Sequence, residues 1–215
     1  MGFFTSRANR AAAAQDAAVA AQDAAIVDFW AWWGDGGAAA TAHAFDSRGK
    51  DVEALQRVGE ELGARARAIG LGFESGEGRA ARHVLVLTPE GAADAADVAD
   101  RWLAAAPPAD DAFEFDNRRR AAADPTTVGI DYDGHRFDLV DLVMLAQPDG
   151  TKVHVAVWHP AFADVERPVA GNVAFLMLDA LLGERAVEER IGAIRFDLDP
   201  ADRGRPFVEL RDLIA

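Results

Sequence analysis

Two strings constrain this chain most: HVLVLTP at residues 83–89 and VHVAVWHP at residues 153–160. His83 and His154 stand 71 positions apart, and a proline closes each apolar run. In an extended strand, successive side chains point to opposite faces. The alternation therefore puts Val153, Val155 and Val157 on one face and His154, Ala156 and Trp158 on the other. Both strings are predicted to be interior strands, and their echo predicts a duplicated unit.

Around these strings, residues 71–116 and 142–198 each read strand, strand, helix, strand. The expected fold is α+β, with two such halves forming a mostly antiparallel sheet and helices packed on it. The expected organisation is an Ala-rich helical extension over residues 1–27, followed by a single α+β domain over 28–215. Residues 7–33 contain neither glycine nor proline and are dominated by alanine, the strongest helix former, so they predict one long helix. AQDAA occurs at 14–18 and again at 21–25, which sets Val19, Ile26 and Trp33 on one stripe. Two or three such heptads fall short of a coiled coil.

That helix ends in FWAWW, which holds three of the chain's five tryptophans, before Gly34-Asp35-Gly36-Gly37 breaks it. Helical spacing groups Ile26, Phe29, Trp30 and Trp33 and predicts that both of these tryptophans are buried. Trp32 falls on the flank, partly exposed, and is a candidate binding residue.

Further along, a helix is expected over 51–69, stopped by Gly70, then strands at 71–78 and 82–88, a helix at 92–105 and a strand at 112–116. Asp133-Gly134 predicts a tight hairpin. Residues 142–146 and 152–158 predict another. A loop reaches Val169, and Asn172 is expected to cap a helix that is apolar around nearly its whole circumference. Glu184 is expected to start a short helical segment, ahead of a strand at 193–198 and a terminal helix at 206–214.

The formal charge of −14, from 36 acidic and 22 basic residues, repels a phosphate backbone and leaves room for a basic protein partner, the alternative being that the acidity only keeps the protein soluble. Without cysteine there is no disulfide, thiolate metal site or thiol nucleophile. No apolar run is long enough to span a bilayer, and MGFFTSRANR lacks the apolar core of a secretory signal, so a cytoplasmic protein without membrane contact is expected. The chain has no G-x-S-x-G, P-loop, H-E-x-x-H or complete dinucleotide fingerprint, and no cofactor or metal is predicted.

His159, between Trp158 and Pro160 where a strand runs into a loop, is the one candidate catalytic residue. Its rival reading is a strand-end histidine satisfied by its neighbours. Trp158 and His159 join Trp32 as candidate binding residues. Arg118, Arg119 and Arg120 are expected at a solvated strand end, with a carboxylate clamp as the alternative. Asp131, Asp133, Asp138 and Asp141 lack calcium-loop spacing and are read as turn residues. Asp197, Asp199 and Asp202 are read as a solvated acidic loop.

FWAWW, the strand ending in HPAF, and LDALLGE leading into IGAI resemble an uncharacterised bacterial α+β family with an F-W-x-W segment and an L-D-x-x-L-G-E helix end. The resemblance covers residues 28–214 and implies no activity and no catalytic residue. The sequence thus predicts a noncatalytic protein-interaction or regulatory module. The alternative is an enzyme with a site near Trp158 and His159 acting on a small polar substrate.

Overall fold

The computed structural model describes residues 3–196 and 204–214. The chain forms two compact units, Met1–Arg118 and Arg119–Ala215. One half of the expected repeat, 71–116, falls in the first unit and the other, 142–198, in the second.

In the first unit α1 runs from Phe3 to Trp32. The expected glycine break is a kink, with Gly36 at φ 100°, after which the chain re-enters helix as α2, Ala38–Asp46. Gly36 supplies the positive φ without the steric penalty of a side chain, so the chain turns a corner and continues. Helix α3, Val52–Ile69, starts where the Asp51 side chain accepts the Ala54 N–H and stops at Gly70 in the left-handed region. Strands β1 (Gly72–Glu77) and β2 (His83–Thr88) form an antiparallel hairpin. Helix α4 (Ala96–Ala104) then returns the chain to β3 (Phe113–Asp116), which lies parallel to β2. Helix α4 begins four residues later than the periodicity suggests, because Ala93–Ala95 forms a 3-10 turn.

The second unit opens with the hairpin β4 (Gly129–Tyr132) and β5 (His135–Asp138), turned by Asp133 at φ 52° and Gly134 at φ 76°. Strands β6 (Val143–Asp149) and β7 (Lys152–Trp158) pair antiparallel. Helices α5 (Arg167–Leu182) and α6 (Glu184–Arg190) lead to β8 (Ile191–Arg195), parallel to β7. Strand β9 (Arg205–Pro206) adds to β6, and α7 (Leu210–Ile214) closes the unit. Helix α5 begins five residues before the expected cap at Asn172. Pro168 sits in its first turn, where a missing N–H costs nothing, so the proline that suggested a loop in fact opens the helix.

The architecture is α+β with mostly antiparallel pairing, and both histidine strings are interior strands, β2 between β1 and β3 and β7 between β6 and β8. Two details differ from the expected single sheet. The strands pair in three sheets, and the last strand of each half runs parallel to its neighbour. A helical crossover carries the chain back along the sheet, so the strand after it restarts in the direction of the strand before it.

Each unit has its own core. The first gathers Ile26, Phe29 and Trp33 of α1 with Leu62, Ile69, Leu85, Leu87 and Trp102. The second sets α5, through Val173, Met177, Leu178 and Leu181, against Met144, Val153, Val155 and Val157. The three valines of β7 are buried and the alternate residues half-buried, as the alternation requires.

Candidate functional site

His159 directly follows β7 on the strand's core-facing side and is 3% exposed. Its ring lies against those of Phe137 and Phe162, with centroids 5.2 and 5.8 Å away. Nδ1 accepts the Ala161 N–H at 3.1 Å, across Pro160, and so caps the 3-10 turn Pro160–Asp164. With Nδ1 accepting, the proton of the neutral ring belongs on Nε2, which makes no hydrogen bond of normal geometry to a described residue. Burial pushes the pKa of His159 below the ordinary 6.5, while the negative charge of Asp141 and the backbone and charge of Asp138 pull the other way. A ring held neutral with its acceptor nitrogen on a main-chain amide acts as a cap.

The first unit has the same device. Aligning His83 with His154 puts Thr88 opposite His159. Thr88 is fully buried, and its Oγ1 accepts the Glu90 N–H at 3.0 Å, again across a proline. In both units a buried polar side chain at the end of the central strand takes the amide two residues on. The signal was in the two strings, where Thr88 and His159 occupy one position.

The other candidate binding residues have separate surroundings. Trp158 lies on the opposite face of β7, half-buried, paired with Val143 of β6. Trp32 belongs to the first unit and is half-buried, with the Arg65 guanidinium 4.7 Å from its ring centroid. Trp33 is buried as expected, its ring 4.8 Å from Phe113. Trp30 is half-buried instead of largely buried: it stacks on Trp102 at 4.9 Å and donates Nε1–H to the Trp102 carbonyl at 3.1 Å, which leaves one edge of the indole at the surface.

The buried ionic side chains hold main chain. Glu114, 8% exposed, accepts the N–H groups of Arg79, Ala80 and Ala81 at 2.7, 2.9 and 3.4 Å, fastening the β1–β2 connection to β3. In the second unit Glu184, 2% exposed, accepts the Arg119 N–H at 3.0 Å, and its own N–H donates to the Arg119 carbonyl at 2.9 Å. Arg119 also reaches Asp179 at 3.0 Å. The LDALLGE string is therefore a latch between the end of α5 and the segment that opens the unit. Glu184 starts α6, as expected.

The arginine triplet is corrected by these contacts. Arg118 is 4% exposed and lies 3.7 Å from Asp100, and Arg119 clamps Asp179, so these two are spent on carboxylates instead of standing in solvent. Pairs separated by 18 and 60 positions leave no local trace in the sequence.

Two further histidines are also engaged. His83 Nε2 is 2.8 Å from Asp46, and this hydrogen bond, ahead of the charge of Arg82, holds the Asp46 carboxyl below its usual range. His154 Nδ1 accepts the Ala193 N–H at 2.8 Å while Nε2 faces Asp149 at 3.2 Å. Asp131 and Asp138 are paired with Arg136 at 3.0 and 2.9 Å, in keeping with turn chemistry. Among the described residues, no three His, Asp or Glu side chains are placed to hold a metal ion, and no helix is long and apolar enough to cross a membrane. The acidic stretch Asp197, Asp199 and Asp202 lies outside the described residues. No family model, curated protein or solved structure matches the chain.

Proposed function

We propose that this protein is a noncatalytic protein-interaction or regulatory module whose partner carries a basic surface. The observation that carries the reading is how the buried polar side chains are spent: Glu114, Glu184 and His159 each hold main-chain amides. Each is buried and commits at least one acceptor atom to main chain, which gives it a role in the fold. Charge supports the choice of partner. The first unit has 19 acidic and 11 basic side chains, net −8, and the second has 17 and 11, net −6, so acidity belongs to both bodies and not to one tail. An acidic surface speeds encounter with a basic partner and disfavours nucleic acid. A cytoplasmic location is part of this proposal.

The enzyme alternative has one observation in its favour, that the Nε2 of His159 makes no hydrogen bond of normal geometry among the described residues, and against it the burial of that side chain. Affinity capture from the native host at low and moderate salt tests the proposal. A specific basic partner, weakened by salt, is expected; recovery of nothing specific at either salt concentration would refute it.

A further inference from the structure

The tandem AQDAA repeat in α1 offers the same side chains twice, and among the described residues only the Gln and Asp of its second copy are held by another element. Seven residues advance a helix to within about 20° of two full turns, so residues 14–20 and 21–27 present nearly the same face. In the second copy, Gln22 accepts a hydrogen bond from Arg101 of α4 at 3.0 Å, Asp23 lies 3.4 Å from the same guanidinium, and Ile26 is 4% exposed in the core. In the first copy the corresponding Gln15 and Asp16 are exposed and Val19 is half-buried. Neither Gln15 nor Asp16 takes a hydrogen bond or ion pair from a described residue. Ala11, Ala12 and Ala18, on the same face, are exposed as well.

Resting on the interaction reading above, we propose that the face of α1 formed by Ala11, Ala12, Gln15, Ala18 and Val19, with Asp16 at its edge, docks an arginine-bearing amphipathic helix of a partner protein. The second copy shows how such a helix is held: a guanidinium is shared between Gln22 and Asp23, and the Trp102 ring beside it packs on Phe29 and Trp30. The surface continues without interruption from the face already packed at Ile26, Phe29 and Trp33. Charge selects the partner. Between Arg10 and Arg48 the chain carries five aspartates and neither lysine nor arginine. A cationic helix gains from that field, and arginine suits a planar shared site better than lysine does.

The test uses the full chain and a synthetic, dye-labelled peptide of residues 91–106 in which Asp94→Lys, Asp97→Lys and Asp100→Lys make it basic while Val98, Ala99, Arg101 and Trp102 are kept. Fluorescence anisotropy should show saturable binding. The pair Asp16→Lys/Val19→Glu should weaken it by about tenfold or more, as loss of a central contact does. The charge-matched Asp164→Asn should leave it within about twofold, and Arg101→Gln in the peptide should weaken it like the protein variant. Circular dichroism confirms that the variants keep their helix. Absence of saturable binding, or equal losses in the Asp16/Val19 and Asp164 variants, would overturn the site. So would a doubled mass by light scattering that the Asp16/Val19 pair halves, since the occupant would then be a second copy. Host capture with the paired variant separates this claim from the broader one: equal capture by wild type and variant leaves the interaction reading standing and removes this face.

Discussion

Replacing Trp33 by alanine is the sharpest probe of what holds the first unit together. The indole is 5% exposed and meets Phe113 at 4.8 Å, Phe115 at 5.6 Å and Trp32 at 5.9 Å, so its removal opens a cavity walled by rings that cannot close up. Large-to-small changes of this kind cost about 3–5 kcal/mol. With a urea m-value of about 2 kcal/mol/M, that is a fall of ~2 M in the unfolding midpoint. Trp30→Ala loses the stack on Trp102 and the hydrogen bond to its carbonyl and should cost nearly as much, although the ring is half-buried. Trp32→Ala gives up one exposed edge and an Arg65 contact and should cost about 1–2 kcal/mol. Urea unfolding followed by far-UV circular dichroism reads all three. A Trp33→Ala midpoint indistinguishable from wild type, or a larger loss for Trp32 than for Trp33, would refute the reasoning.

Glu114→Ala strips three amides of their acceptor, and because Arg79 and Ala80 are exposed and can rehydrate, the first unit should lose only about 2 kcal/mol, measurable in the same urea series. Gly183→Ala should destabilise the second unit by about 2 kcal/mol, since φ is +84° and a Cβ would stand 3.0 Å from the Ala121 nitrogen; a neutral result by calorimetry would remove the latch from the account. Because burial lowers the folded pKa of His159 below the unfolded 6.5, the unfolded chain takes the proton first. Stability of the second unit is then full above that pH and falls as pH drops toward the folded value, by at most about 1.4 kcal/mol per pH unit. His159→Gln should flatten that part of the stability profile, and an unchanged slope would refute the assignment.

Much of the fold was legible because local rules agreed with tertiary packing. Helical spacing named Ile26, Phe29 and Trp33, all buried, and Trp30, which is half-buried; the alternation in β7 named its three buried valines; Asp133-Gly134 named its hairpin. One boundary was misread because Pro was taken as a loop residue, while the expected glycine break is present as a turn between two helices. Gly36 is a corner between two helices, and Pro168 begins α5. What the sequence could not display were the long-range polar contacts, Glu114 to residues 79–81 and Arg119 to Asp179 and Glu184, because neither partner's local pattern carries the other. The cap shared by Thr88 and His159 lies between these cases. Its signal was the alignment of two short strings, and the chemistry that sets histidine apart from threonine obscured it.

The central claim is that side chains capable of chemistry serve the backbone here, and His159 is where that claim is most exposed. Long-range ¹⁵N–¹H correlation spectra of the imidazole, recorded from pH 4.5 to 8, measure its tautomer and titration directly. The account predicts one neutral form, protonated on Nε2 and hydrogen-bonded at Nδ1, that takes up a second proton only below 6.5. A ring titrating at or above 6.5, or exchanging between tautomers, would contradict it.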